Sequence, residues 1–106
     1  MPTSKRNVIA GLYDSFAYEA LTVAGTAVGF TTATLEDADG NAQKIFATLE
    51  TAQIRYTLDG TTPTSTVGHL LEVGDTLQIT GSDDIVAFRA IRTGGTSASL
   101  KVTYSR

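Results

Sequence analysis

The chain has 106 residues, ten glycines, no cysteine, no tryptophan and a formal net charge of -3. A single domain of this size buries roughly 65% of its extended-chain surface, enough for a core without covalent staples. The missing cysteines exclude disulfides, thiolate zinc sites and a cysteine nucleophile, and suit a reducing cytosol.

No apolar run approaches the roughly 18 residues of a membrane span. The opening Met1 to Asp14 meets glycine and acid too early for a signal sequence. No membrane partner or secretion is expected. Lys44, Arg55, Arg89, Arg92 and Lys101 are interleaved with acids, so no nucleic-acid partner is expected either. Abundant Thr and Gly with few Lys and Glu favour strands and tight turns, and the expected class is all-β.

Residues 1–20 are apolar at Val8, Ile9, Leu12, Tyr13, Phe16 and Tyr18 but keep no clean period. They are expected to form an N-terminal arm ahead of a domain at 21–106. Fully extended, about 18 residues span roughly 60 Å, well beyond a domain radius of about 13 Å, so such an arm can reach a neighbour. A first strand with a loose end, or a short helix over 14–20 capped by Asp14 or Ser15, are the alternatives.

Short strands are expected at 21–23 and 28–35. Asp39-Gly40 follows as the pair that a type I′ hairpin prefers. In 44–50, Ile45, Ala47 and Leu49 share one face. In 52–58, Ile54, Tyr56 and Leu58 alternate with Gln53, Arg55 and Thr57. Asp59-Gly60 and Pro63 then take the chain out of the sheet. After a polar loop at 65–69 and a turn at Gly74-Asp75, a strand carries Leu77 and Ile79 inward. Residues 85–91 read as a strand covered on both faces, and Thr93 to Thr96 make a hairpin into the alternating Ala98, Leu100, Val102 and Tyr104. Seven or eight strands at this spacing predict a single β-sandwich of immunoglobulin-like or jelly-roll connectivity, with Ile54, Tyr56, Leu58, Leu77, Ile79, Phe88, Leu100 and Val102 in one core.

Signs of chemistry are sparse. Asp37 to Asn41 starts like a calcium loop, but the twelfth position is Thr48 rather than glutamate. Adjacent Asp83 and Asp84 suit a turn, and no facing pair of carboxylates is nominated among the acids. His69 is the sole histidine, without a Gly-x-Ser-x-Gly elbow or a phosphate-cradling loop, and is expected in a loop or buried and hydrogen-bonded. No catalytic residue, metal or cofactor is expected. Arg55, Arg89 and Arg92 lie on strands, where pairing with Asp59, Asp83 or Asp84 or a role as interface anchors are the two options.

Ile54 to Thr64 resembles the Y-T-x-D-G-[ST]-x-P-[ST] turn of the immunoglobulin-like modules attached to chitobiase-type glycosidases. Four runs, Arg55 to Thr64 within that same stretch, Gly68 to Asp75, Ile85 to Arg92 and Val102-Thr103-Tyr104, are similar to small virion proteins encoded with the head genes of tailed bacteriophages. That resemblance covers Gln53 to Arg106. It implies a capsid decoration or cement protein, made in the host cytoplasm and placed on the capsid exterior. The implied partners are the major capsid protein and two further copies in a homotrimer. Tyr13, Phe16 and Tyr18 of the arm and Arg55, Arg89 and Arg92 are the candidate interaction residues. A carbohydrate-binding or adhesin module is the alternative, for which exposed Trp or Tyr platforms are the requirement; Trp is absent, Tyr56 and Tyr104 are in the inward register, and Tyr13 and Tyr18 are in the arm.

Overall fold

A computed structural model describes residues 13–37 and 40–106. In chain order its elements are β1 (Ser15–Val23), α1 (Thr32–Leu35), β2 (Glu36–Asp37), β3 (Gly40–Asn41), β4 (Lys44–Glu50), β5 (Ile54–Thr57), β6 (His69–Leu71), β7 (Thr76–Thr80), α2 (Ser82–Ala87), β8 (Arg89–Arg92) and β9 (Ala98–Ser105). A four-stranded sheet runs β1-β9-β4-β7 and a three-stranded sheet β6-β5-β8, with every neighbouring pair antiparallel. The two sheets close over one apolar core, giving an immunoglobulin-like β-sandwich of the expected class.

The period-two pattern of the sequence builds the large sheet. Ile45, Ala47 and Leu49 of β4, Leu77 and Ile79 of β7, and Leu100, Val102 and Tyr104 of β9 all turn inward and are buried. From the small sheet come Ile54, Leu71 and Ala90, and Phe30 and Phe88 fill the space between. Phe88 is fully buried, with its ring 4.2 Å from that of Phe30 and 6.0 Å from that of Tyr56. Burying a side chain of this size contributes about 1.5–3 kcal/mol. Of the eight expected core residues, Tyr56 and Leu58 pack against the cluster while only partly buried, and the other six are inside it.

Four expectations are corrected. Residues 15–20, assigned to the arm, are the first part of β1, paired with β9 from Ser15↔Ser105 to Val23↔Ala98. Their period is obscured because the register shifts between Ser15 and Ala17. One extra residue there lets Phe16 and Ala17 both pack on the core while Tyr18 returns to the outside. The remaining arm residues, 1–12, lie outside the described residues.

The expected strand at 28–35 is reduced to a single bridge, Val28↔Ala90, followed by α1. A β-carbon at Gly29 would sit 2.9 Å from the Phe88 carbonyl oxygen, so this crossing needs the bare backbone. Beyond it, the Thr31 amide and hydroxyl are captured by the Glu19 carboxylate, which pulls the chain out of the sheet. Residues 85–91 begin in α2, not in a strand, and β8 starts at Arg89. Ile85 and Phe88 are buried three positions apart while Val86 is exposed, a helical spacing, and Asp83 and Asp84 in the first turn suit the positive end of a helix. Gly40 belongs to β3 and pairs with Asp37, a strand position where a turn position was expected; residues 38 and 39 lie outside the described residues.

Candidate interaction surface

Each sheet turns one face to the core and one outward, and the registers fix what each outward face carries. On the large sheet, Tyr18↔Thr103, Phe46↔Thr103 and Phe46↔Gln78 place Tyr18, Thr103, Phe46 and Gln78 in one row across four strands. The next rows hold Ala20, Lys101, Thr48 and Thr76 on one side and Ser105, Lys44 and Thr80 on the other. Tyr18 is 61% and Phe46 43% exposed, unusual for large apolar rings among hydroxyl side chains.

A cleft of about 450 Å³ opens on this face, lined by Tyr13, Ser15, Lys44, Phe46, Gln78, Thr103 and Ser105. The Lys44 ammonium lies 5.6 Å from the centre of the Tyr13 ring, within cation–π range. The Ser15 and Ser105 hydroxyl oxygens are 3.3 Å apart across β1 and β9.

On the small sheet the outward row is Leu70, Arg55 and Ile91, with Arg89 in the outward register opposite Thr57. Leu70 is exposed, as is Val67 in the preceding loop. The Arg55 guanidinium donates to the Ser65 carbonyl at 2.9 Å and to the Gly68 carbonyl at 2.8 Å. Gly68 has φ 120 and comes so close to β5 that an added β-carbon would meet the Tyr56 carbonyl oxygen at 3.0 Å. Arginine and glycine together therefore fold this loop back against the strand. Arg92 donates to the Ser97 hydroxyl at 3.1 Å. Arg55 and Arg92 thus act on loops, where ion pairs with aspartates were an option.

The turn after β5 forms as its chemistry suggests. The Thr61 amide donates to Asp59 Oδ1 at 3.0 Å, the Thr57 hydroxyl donates to the Thr61 carbonyl at 2.5 Å, and Gly60 adopts φ 86. The hydrogen bonds from Thr61, side chain first and then backbone, hold the Asp59 carboxyl below its usual 3.8. A shallower depression of about 280 Å³ lies here, with His69 on its rim. His69 opens β6, is exposed, and has its ring 5.5 Å from that of Tyr56; it is neither in the loop nor buried.

Two of the six nominated residues, Tyr13 and Tyr18, lie on the outward side of the large sheet, and two, Arg55 and Arg89, on that of the small one. Phe16 instead turns toward the core, with its ring 6.5 Å from that of Tyr104 and the Arg106 guanidinium 4.1 Å from its centre. Lys44, Phe46 and Gln78 were not nominated, although the alternation around Ile45, Ala47 and Leu49 already put Phe46 outside.

Beneath the outer face, β1 is fastened from inside. Tyr104 donates its phenol proton to the Glu19 carboxylate, which also accepts from the Thr31 amide at 3.1 Å and the Thr31 hydroxyl at 2.6 Å. Burial first, and the Glu19 carboxylate second, push the Tyr104 phenol well above its usual 10.0.

The family model of the chitobiase/beta-hexosaminidase C-terminal domain matches residues 22–103. The chain belongs to this family. The match bears out the resemblance of the Ile54 to Thr64 turn, and the family is an immunoglobulin-like accessory domain without catalysis of its own. The match begins near the end of β1, so Tyr13 and Tyr18 precede it while Lys44, Phe46, Gln78 and Thr103 fall within it. No curated protein and no solved structure matches the chain.

Proposed function

We propose that this chitobiase-type C-terminal domain is a non-catalytic docking module of a tailed bacteriophage particle, a capsid decoration protein. It binds the major capsid protein on the capsid exterior as a homotrimer, after synthesis in the host cytoplasm. The observation that carries the reading is the outward face of the small sheet. There Arg55 and Arg89 stand beside exposed Leu70 and half-buried Ile91, the arginine-with-aliphatic composition of a protein interface centre. All four residues belong to the runs that resemble head-gene virion proteins. The loop ties at Arg55 keep this face rigid before contact, which lowers the ordering cost of association.

Purified particles analysed by mass spectrometry provide the test. A decoration protein is expected in hundreds of copies per particle, and Leu70→Asp is expected to abolish incorporation while the isolated protein keeps its melting temperature. A handful of copies, or full incorporation of Leu70→Asp, overturns the reading.

A second reading, a carbohydrate-binding or adhesin module, is favoured by the exposed Tyr18 and Phe46 on the opposite side of the sandwich. Tyr18 meets the requirement for an exposed Trp or Tyr platform, and Phe46 adds a second aromatic ring.

A further inference from the structure

We infer that the cleft on the large sheet is a binding site for an acidic saccharide, a pyranose chain carrying carboxylates. The inference rests on the carbohydrate reading of that face and is independent of the virion role.

The cleft's volume, about 450 Å³, is in the range of small-ligand sites and suits one or two sugar rings. Sugars present a patch of C–H groups on one side and hydroxyls around the rim, so their sites pair an aromatic surface with short polar side chains. Phe46 supplies the surface, and Gln78 and Thr103 flank it on the neighbouring strands at the same level. The Gln78 carboxamide offers two donors and an acceptor, and the Thr103 hydroxyl can do both. Tyr18 stands two strands from Phe46, about 10 Å away at the usual strand spacing. That is the span of a disaccharide, so a chain lying across the strands meets both rings.

The acidic character comes from charge. The whole chain is net negative, yet Lys44 is the one charged side chain among the described residues lining the cleft, and none of them is an acid. Lys101 adds a second cation one row away. A carboxylate on a sugar seated against Phe46 is within reach of Lys44, whose ammonium is held near the Tyr13 ring. Nucleic acid fits this face less well, because tracking a phosphate backbone takes a continuous row of cations.

The test uses the full chain and two probes of equal length, an oligogalacturonate and a neutral N-acetylglucosamine oligomer, followed by calorimetry and by amide chemical shifts at low and physiological ionic strength. The oligogalacturonate is expected to bind at least about tenfold more tightly than the neutral probe, with the advantage shrinking as salt rises. Lys44→Gln is expected to remove that advantage. Phe46→Ala is expected to weaken both probes.

Equal binding of both probes, unchanged by Lys44→Gln, overturns the acidic specificity and leaves the carbohydrate reading standing. Binding of neither overturns both. Binding that neither variant alters, or shifts confined to the small sheet, removes the cleft as the site. Both side chains point outward, and thermal melts of the two variants separate loss of binding from loss of fold.

Discussion

In the large sheet, β4 and β9 run for seven and eight residues, and their outward side chains Phe46, Thr48, Lys101 and Thr103 present an open face. In the small sheet, β5 and β8 run for four residues each, and the outward Arg55 reaches back to the carbonyls of its own loop. Long strands hold their faces through ladder and core contacts, which leaves their outer side chains available. Short strands need their side chains to fasten the loops that connect them. A cation on the first kind of face is therefore a candidate for recognition, whereas on the second it can be part of the scaffold.

The largest test asks whether the two sheets share one core. Phe88 follows α2, leads into β8 and contacts Phe30 and Tyr56, so Phe88→Ala is expected to cost about 3–5 kcal/mol in urea denaturation, with a single transition. A loss below about 1 kcal/mol, or two transitions, would separate the sheets energetically.

The contrast between cations comes next. Arg55→Ala removes two charge-assisted bonds to backbone carbonyls on a partly exposed loop, and about 1–2 kcal/mol is expected to be lost. Lys44→Ala is expected to stay within about 0.5 kcal/mol of the parent. If the two losses are equal, the distinction between an open and a fastened face fails.

The same contrast explains how much was legible in the sequence. Where strands are long, as at Lys44 to Glu50 and Ala98 to Tyr104, alternation alone assigned both faces, and Phe46 was outward on that reading. The Asp59-Gly60 turn was legible because its side-chain chemistry is local. The losses came where distant groups decide. Glu19 captures Thr31 from twelve residues away and ends a β-rich run. A one-residue bulge at Phe16 hides the period of β1 and made a strand look like an arm. The apolar string at 85–91 holds both a helical spacing, Ile85 to Phe88, and a strand start, which periodicity over so short a window cannot separate. That Arg55 also ties down its own loop was hidden, because a sequence does not show the carbonyls it faces.

A pH dependence tests the fastening of β1 to β9. The Tyr104 phenol is raised in the folded protein, so the native state keeps a proton that the unfolded chain releases near pH 10. Stability from this group is complete below about pH 10 and declines as pH rises above it. Tyr104→Phe is expected to cost about 1–2 kcal/mol at neutral pH, because Glu19 loses one donor. It is also expected to flatten the alkaline decline relative to the parent in urea midpoints measured from pH 8 to 11. An identical decline in both proteins would assign the alkaline loss to other groups.

The smallest effect concerns the joint between the sheets. β4 passes to β5 through Thr51, a β-branched residue at φ 83, and the Ala52 amide donates to the Glu50 carbonyl at 3.0 Å across it. A bond spanning two residues around a positive φ is a γ-turn of the strained kind, and it moves the chain from one sheet to the other in minimal length. A residue held this way costs about 1–3 kcal/mol, and glycine adopts the conformation without the clash, at an unfolded-state entropy cost of about 0.5–1 kcal/mol. Thr51 is exposed, so replacing it leaves the core intact. Thr51→Gly is therefore expected to stabilise the protein by about 1 kcal/mol, whereas Thr51→Ala, which keeps a β-carbon at the same φ, recovers less. A loss of stability in Thr51→Gly would mean that the joint is relaxed, and the tight crossing between an open sheet and a fastened one would then need another source of rigidity.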